Sequence, residues 1–159
     1  MPARLWERST RPCLPAALPV EMRNAVRACA ERHRLGDVER ASLACCLTTS
    51  KRLQRGLLDR LLGRSATQQM GALVTPSVLV WSISDGGETF AVAARLAEVE
   101  VTDHAQSDRA ALVEDAGLVV FGFRIGASER ATMFLGLGPG EAADAFRAAV
   151  RGAAAASPR

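Results

Sequence analysis

The stretch 116–151 constrains the fold more than any other part of the chain. Gly117 to Ile125 (Gly-Leu-Val-Val-Phe-Gly-Phe-Arg-Ile) predicts a strand, and Ala131 to Leu137 (Ala-Thr-Met-Phe-Leu-Gly-Leu) predicts its hairpin partner. Gly138-Pro139-Gly140 then turns the chain into an amphipathic helix. In that helix Ala142, Ala145, Phe146, Ala149 and Val150 follow i, i+3, i+4, i+7, i+8 spacing, which makes one apolar stripe. A meander closed by one helix is a scaffold, and a scaffold does not name its function.

More strands precede this unit. Gly71 to Thr75 reads as one, and Thr75-Pro76-Ser77 as a tight turn, since proline presets φ and donates no ladder bond. Val78 to Ser84 is the next strand, Asp85-Gly86-Gly87 a hairpin signal, and Thr89 to Ala94 the return. Leu96 to Thr102 predicts a half-buried strand in which Glu98 and Glu100 face water. Gln106 to Asp115 is a polar connection with room for a short helix.

The front of the chain has a different texture. Residues 1–18 carry Pro2, Pro12 and Pro15 without a clean period and read as a loose leader that Trp6 pins to the body. A helix is expected from Pro19, with Met22, Val26, Cys29 and His33 at helical spacing and Gly36 ending the run. Asp37 can cap a second helix carrying Val38, Ala41, Ala44 and Cys45. A third, Lys51 to Leu62, aligns Leu53, Leu57, Leu58, Leu61 and Leu62 on one side, with Lys51, Arg52, Arg55 and Arg60 around the rest. Polar, aperiodic residues 64–69 form the expected linker. The expectation is an α+β chain: leader 1–18, helical segment 19–66, an antiparallel β-domain with a C-terminal helix over 70–152, and a disordered tail 153–159.

The order of these signals resembles the bacterial pleckstrin-homology-like (PH-like) domains over about residues 70–152. The cues are Ala72-Leu-Val-Thr-Pro-Ser-Val-Leu-Val-Trp81, a glycine hairpin, Arg95-Leu-Ala-Glu-Val-Glu-Val101, a later strand pair, and a closing helix anchored by Phe146. The resemblance implies a partly open barrel closed by the helix, acting by binding peptides, partners or membranes rather than by catalysis. In phosphoinositide-binding relatives basic residues crowd the early strands and loops. Here those turns read Thr75-Pro76-Ser77 and Asp85-Gly86-Gly87-Glu88, so phosphoinositide binding is not carried over.

Composition narrows the partners. With 48% apolar and 23% charged residues over 159 positions, the chain can bury a core. Aromatics make up 4% with no tyrosine, which removes the stacking platforms of single-strand nucleic-acid binders. Residues 1–70 hold 13 Lys/Arg against 6 Asp/Glu, and residues 71–159 hold 7 against 11. A basic front can meet something acidic, or pack on the acidic rear of its own chain or of a second copy. Cys13, Cys29, Cys45 and Cys46 are not spaced as a disulfide framework, and no signal-peptide pattern or apolar span of about 20 residues is present. Reduced thiols in a cytoplasm are the expectation.

Candidate chemistry is thin. Cys29 and His33 share a helix face and Cys45-Cys46 could approach, but without a Cys-x-x-Cys pair core packing is the expectation, and no metal or cofactor is assigned. Asp103-His104 and the Glu98/Glu100 pair lack an adjacent nucleophile. Gly136 to Gly140 lacks the Gly-Lys-Ser/Thr ending of a phosphate loop, and Glu141 would repel a phosphate there. Catalytic residues are therefore not assigned. The leading expectation is a non-catalytic module binding a protein partner or a second copy as a homodimer, with Leu57, Leu61, Arg52, Arg55 and Arg60 as its interaction surface. A nucleic-acid binder using the basic front helices is the alternative, partly met by Ser50-Lys51-Arg52-Leu53-Gln54-Arg55, and an enzyme of unknown class the third.

Overall fold

The structure, a computed structural model, describes residues 4–53, 56–63, 65–125 and 127–159. In chain order these form β1 (Trp6–Pro12), α1 (Val20–Arg32), β2 (Ala44–Arg52), α2 (Leu57–Leu61), β3 (Thr67–Val74) and β4 (Val78–Ser84). There follow β5 (Thr89–Arg95), β6 (Glu100–Asp103), β7 (Gly117–Arg124), β8 (Arg130–Gly136) and α3 (Glu141–Ala156). The chain is α+β. Strands β1 to β5 pair in sequence order as one antiparallel sheet, and β6 to β8 as a second.

Both faces of the first sheet are covered, and this decides how its strands read. Ala72 and Val74 of β3 and Leu79, Trp81 and Ile83 of β4 point into a core shared with β7, β8 and α3. Their neighbours Leu73, Val78 and Val80 point the other way, onto Leu18 and the Met22, Val26 and Ala30 face of α1. Consecutive side chains of a strand leave on opposite faces, so a strand buried twice reads as a continuous apolar run. Gly71 is part of the fit: a Cβ there would lie 2.8 Å from Leu18 Cδ2. At the centre Trp81 is fully buried, edge-on to Phe123 at 5.5 Å, and its indole N–H points at Met133 Sδ, 3.1 Å away.

Local signals set most boundaries. Thr75 closes the β3–β4 turn twice, its N–H donating to the Val78 carbonyl and its Oγ1 accepting the Val78 N–H. Helix α1 stops where Arg34 takes a left-handed φ of 54° and the Leu35 N–H donates to the Ala30 carbonyl. Gly138 and Gly140, both at positive φ, turn β8 into α3. The expected hairpin of β7 and β8 forms with Leu118 opposite Leu135, and the Gly136 to Gly140 run is a strand-to-helix turn.

Several expectations are corrected. The leader is largely strand β1, in which Trp6, Arg8 and Thr10 face inward and Glu7, Ser9 and Arg11 outward; Pro12 is tolerated at the end of an edge strand. The second front helix does not exist. Ala44 and Cys45 begin β2, because Cys45-Cys46-Leu47-Thr48 is buried on both faces and its apolar run mimics a buried helix. Lys51 and Arg52 end that strand, so the third helix contracts to α2. Residues 19–66 are thus not a helical unit but contribute a central strand. The expected linker 64–69 already contains the start of β3 at Thr67. The strand expected at Leu96 begins only at Glu100, since Arg95 to Glu98 is a turn. The tail is helical to Ala156, with Ala153 in the core, and the buried face of α3 is Ala143, Phe146, Val150 and Ala153, leaving Ala145 outside.

Candidate interaction surface

The connection from β2 to β3 leaves the body of the molecule and carries its most exposed apolar side chains. Leu53, Leu57, Leu58, Leu61 and Leu62 are between 48 and 75% exposed. A five-residue helix has too little backbone cooperativity to persist through its own hydrogen bonds, and no cap side chain supports α2. The leucines were expected to lie on one side of a long helix and to be covered; within one chain they are not. Lys51, Arg52 and Arg60 flank them, also exposed. Arg55 lies outside the described residues. Arg52 sits with its guanidinium carbon 5.8 Å from the centre of the Trp6 ring, which joins the base of this tip to β1. Apolar patches rimmed by polar groups mark interaction sites more often than idle surface.

Below the tip, Arg8 of β1 crosses to the second sheet. Its Nε and Nη2 donate to the Asp115 carboxylate at 3.0–3.1 Å and its Nη1 to Ser50 Oγ at 2.6 Å. The guanidinium is sandwiched 5.3 Å from the Trp6 ring and 5.8 Å from the Phe134 ring. Gly136 leaves the space it occupies, since a Cβ there would come within 2.3 Å of Arg8 Cζ.

The residues weighed for catalysis have structural partners instead. His104 is buried against Phe134, with Nε2 3.1 Å from the Val113 carbonyl and Nδ1 3.3 Å from Ser107 Oγ. Asp103 turns away from it toward α3, meeting Arg151 Nη1 at 2.6 Å and Arg147 at 3.8 Å. Glu98 stands in a turn beside Arg124, 3.8 Å away, and shares no strand face with Glu100. Among the described residues no three His, Cys, Asp or Glu side chains gather as a metal site. Cys45 faces the α1 layer and Cys46 the inner core, so the two adjacent thiols cannot act on one atom.

The basic front helix spends part of its charge internally. Arg23 grips Glu39 at 2.8–3.2 Å and Arg27 adds contacts at 2.7 and 3.2 Å. These hydrogen bonds hold the Glu39 carboxyl at about 2, well below its ordinary range, against the opposing effect of partial burial.

One arrangement has no counterpart in the sequence reading. Cys13, just after β1, lies beside Cys45 with their Sγ atoms 3.5 Å apart. The hydrogen bond from Cys45, helped by the Arg11 charge, lowers the Cys13 thiol to about 7 although burial opposes it. The same contact and its own burial push the Cys45 thiol up. The two residues are neighbours only if the leader is a strand, and three prolines concealed that. They border an open groove of about 610 Å³ between the β1–β2 end and α3, walled by Pro12, Ala142, Ala145 and Phe146.

No protein-family model, curated protein or solved structure matches the chain.

Proposed function

We propose that this chain is a non-catalytic, PH-like binding and assembly module whose working surface is the leucine tip between β2 and β3. The observation that carries the reading is the exposure of all five leucines on a projection flanked by Lys51, Arg52 and Arg60. The meander β2–β5, the later strands β6–β8 and the packed helix α3 support the PH-like part. The structural partners of Asp103 and His104 support a role other than catalysis.

The occupant is a second copy of this chain. Residues 71–159 are net acidic and residues 1–70 net basic, so a basic apolar tip and an acidic rear are complementary fields. Closed two-fold pairing is the commonest way to bury such a patch. Light scattering on the wild type and on Leu57→Glu and Leu61→Glu decides the point. A wild-type dimer and folded, monomeric variants are expected. A monomeric wild type overturns self-association, and salt-sensitive duplex DNA binding by that monomer would favour nucleic acid instead.

A further inference from the structure

We propose that Cys13 and Cys45 form a thiol–disulfide exchange site, oxidised by a low-molecular-weight disulfide entering the groove beside α3. The geometry is that of a dithiol held ready for closure. Pro12 pairs with Cys46 across the β1–β2 ladder, and the Cys13 N–H donates to the Cys45 carbonyl at 3.1 Å, so the two cysteines are the next opposed pair. Directly opposed residues of an antiparallel ladder have Cα atoms about 4.5–5.5 Å apart, inside the range a disulfide spans. The sulfurs stand 3.5 Å apart and must approach to about 2.05 Å, which side-chain rotation can supply.

The pair is asymmetric in the way exchange requires. Cys13 is half-buried and opens to the groove, whereas Cys45 is 7% exposed. The first attack therefore belongs to Cys13 and the second to Cys45. Its acidified thiol fits Cys13 for that part. Competing partners are placed badly: Cys46 faces the opposite side of β2, and Cys29 is buried on α1.

The chemistry balances without a metal. The Cys13 thiolate attacks one sulfur of the incoming disulfide, whose S–S bond breaks, and the departing thiolate takes the electron pair and a proton. The Cys45 thiol then gives up its proton and attacks Cys13 Sγ, expelling the second small thiol. The protein's two thiols become one disulfide, losing two electrons and two protons, while the small disulfide is reduced to two thiols. The new bond closes the loop that contains α1, locking that helix and the edge strand β1 onto the sheet.

The test uses the full chain and oxidised glutathione. Thiols are counted after denaturation, and peptides are mapped by mass spectrometry. Two of the four thiols should disappear, dithiothreitol should restore them, and the bridge should join the Cys13 peptide to that of Cys45. Cys46→Ser should keep the bridge. Cys45→Ser should stop at a glutathione adduct on Cys13, and Cys13→Ser should keep its remaining thiols free. Before oxidation Cys13 should alkylate roughly tenfold faster than Cys29. Four free thiols after incubation, a bridge that survives Cys45→Ser, or a bridge lost in Cys46→Ser would each overturn the proposal. The wild-type thiol count decides it even if a variant fails to fold.

Discussion

Arg8 and Asp115, 107 positions apart in the chain, form an ion pair whose side chains are only 10 and 7% exposed. The pair fastens the edge strand of the first sheet to the segment leading into β7. A buried charge is tolerable only with its partner and its hydrogen bonds, and here Ser50 and the two flanking rings complete the shell.

Breaking the pair from one side should therefore cost more than removing it. Asp115→Ala is expected to destabilise by about 3–5 kcal/mol, because it strands the Arg8 charge. Arg8→Met combined with Asp115→Ala should recover a large part of that loss. Urea unfolding of the two single variants and the double variant measures the coupling; additive losses would mean the two side chains act independently.

Glu39 supplies an acid-sensitive contact. Its folded pKa of about 2 lies below the ordinary 4.5, so its contribution is present above the ordinary value and fades as pH falls toward 2. After solvent screening we expect up to about 1 kcal/mol from this source. Thermal unfolding between pH 5 and pH 2.5 should fall less steeply for Glu39→Gln than for the wild type. Parallel profiles would show that Arg23 and Arg27 hold nothing of consequence.

The fragment 70–159 is expected to aggregate. Removing residues 1–69 takes β1 and β2 from the ladder and bares the β3 edge. It also uncovers Leu73, Val78 and Val80, which α1 protects. A soluble fragment with cooperative unfolding would show that α1 is an addition to a self-sufficient domain.

Phe146 and Leu57 should separate packing from presentation. Phe146 is 3% exposed in the inner core, so Phe146→Ala should cost about 3–5 kcal/mol. Leu57 is 75% exposed, so Leu57→Glu should change the stability of the isolated fold by no more than about 0.5 kcal/mol. Denaturant midpoints measured at concentrations low enough to avoid association compare the two; similar losses would place the leucine tip in the core.

The sequence by itself determined those elements whose signals are local. Thr75-Pro76-Ser77 and Asp85-Gly86-Gly87 carry their own turn chemistry, so β4 and β5 were legible, as were the β7–β8 hairpin, the Gly138 to Gly140 turn and helices α1 and α3. Tertiary structure decided the rest. Burial of Cys45, Cys46 and Leu47 between two layers erased the alternation that would have marked β2 as a strand, and with β2 misread the seven residues of β1 had nothing to pair with. The leucines of the tip were plain in the sequence, but whether anything covers them depends on where the β2–β3 connection projects. The Arg8–Asp115 pair and the Cys13–Cys45 contact depend on strand register and sheet packing. These join residues far apart along the chain, and neither periodicity nor spacing within one segment carries that information.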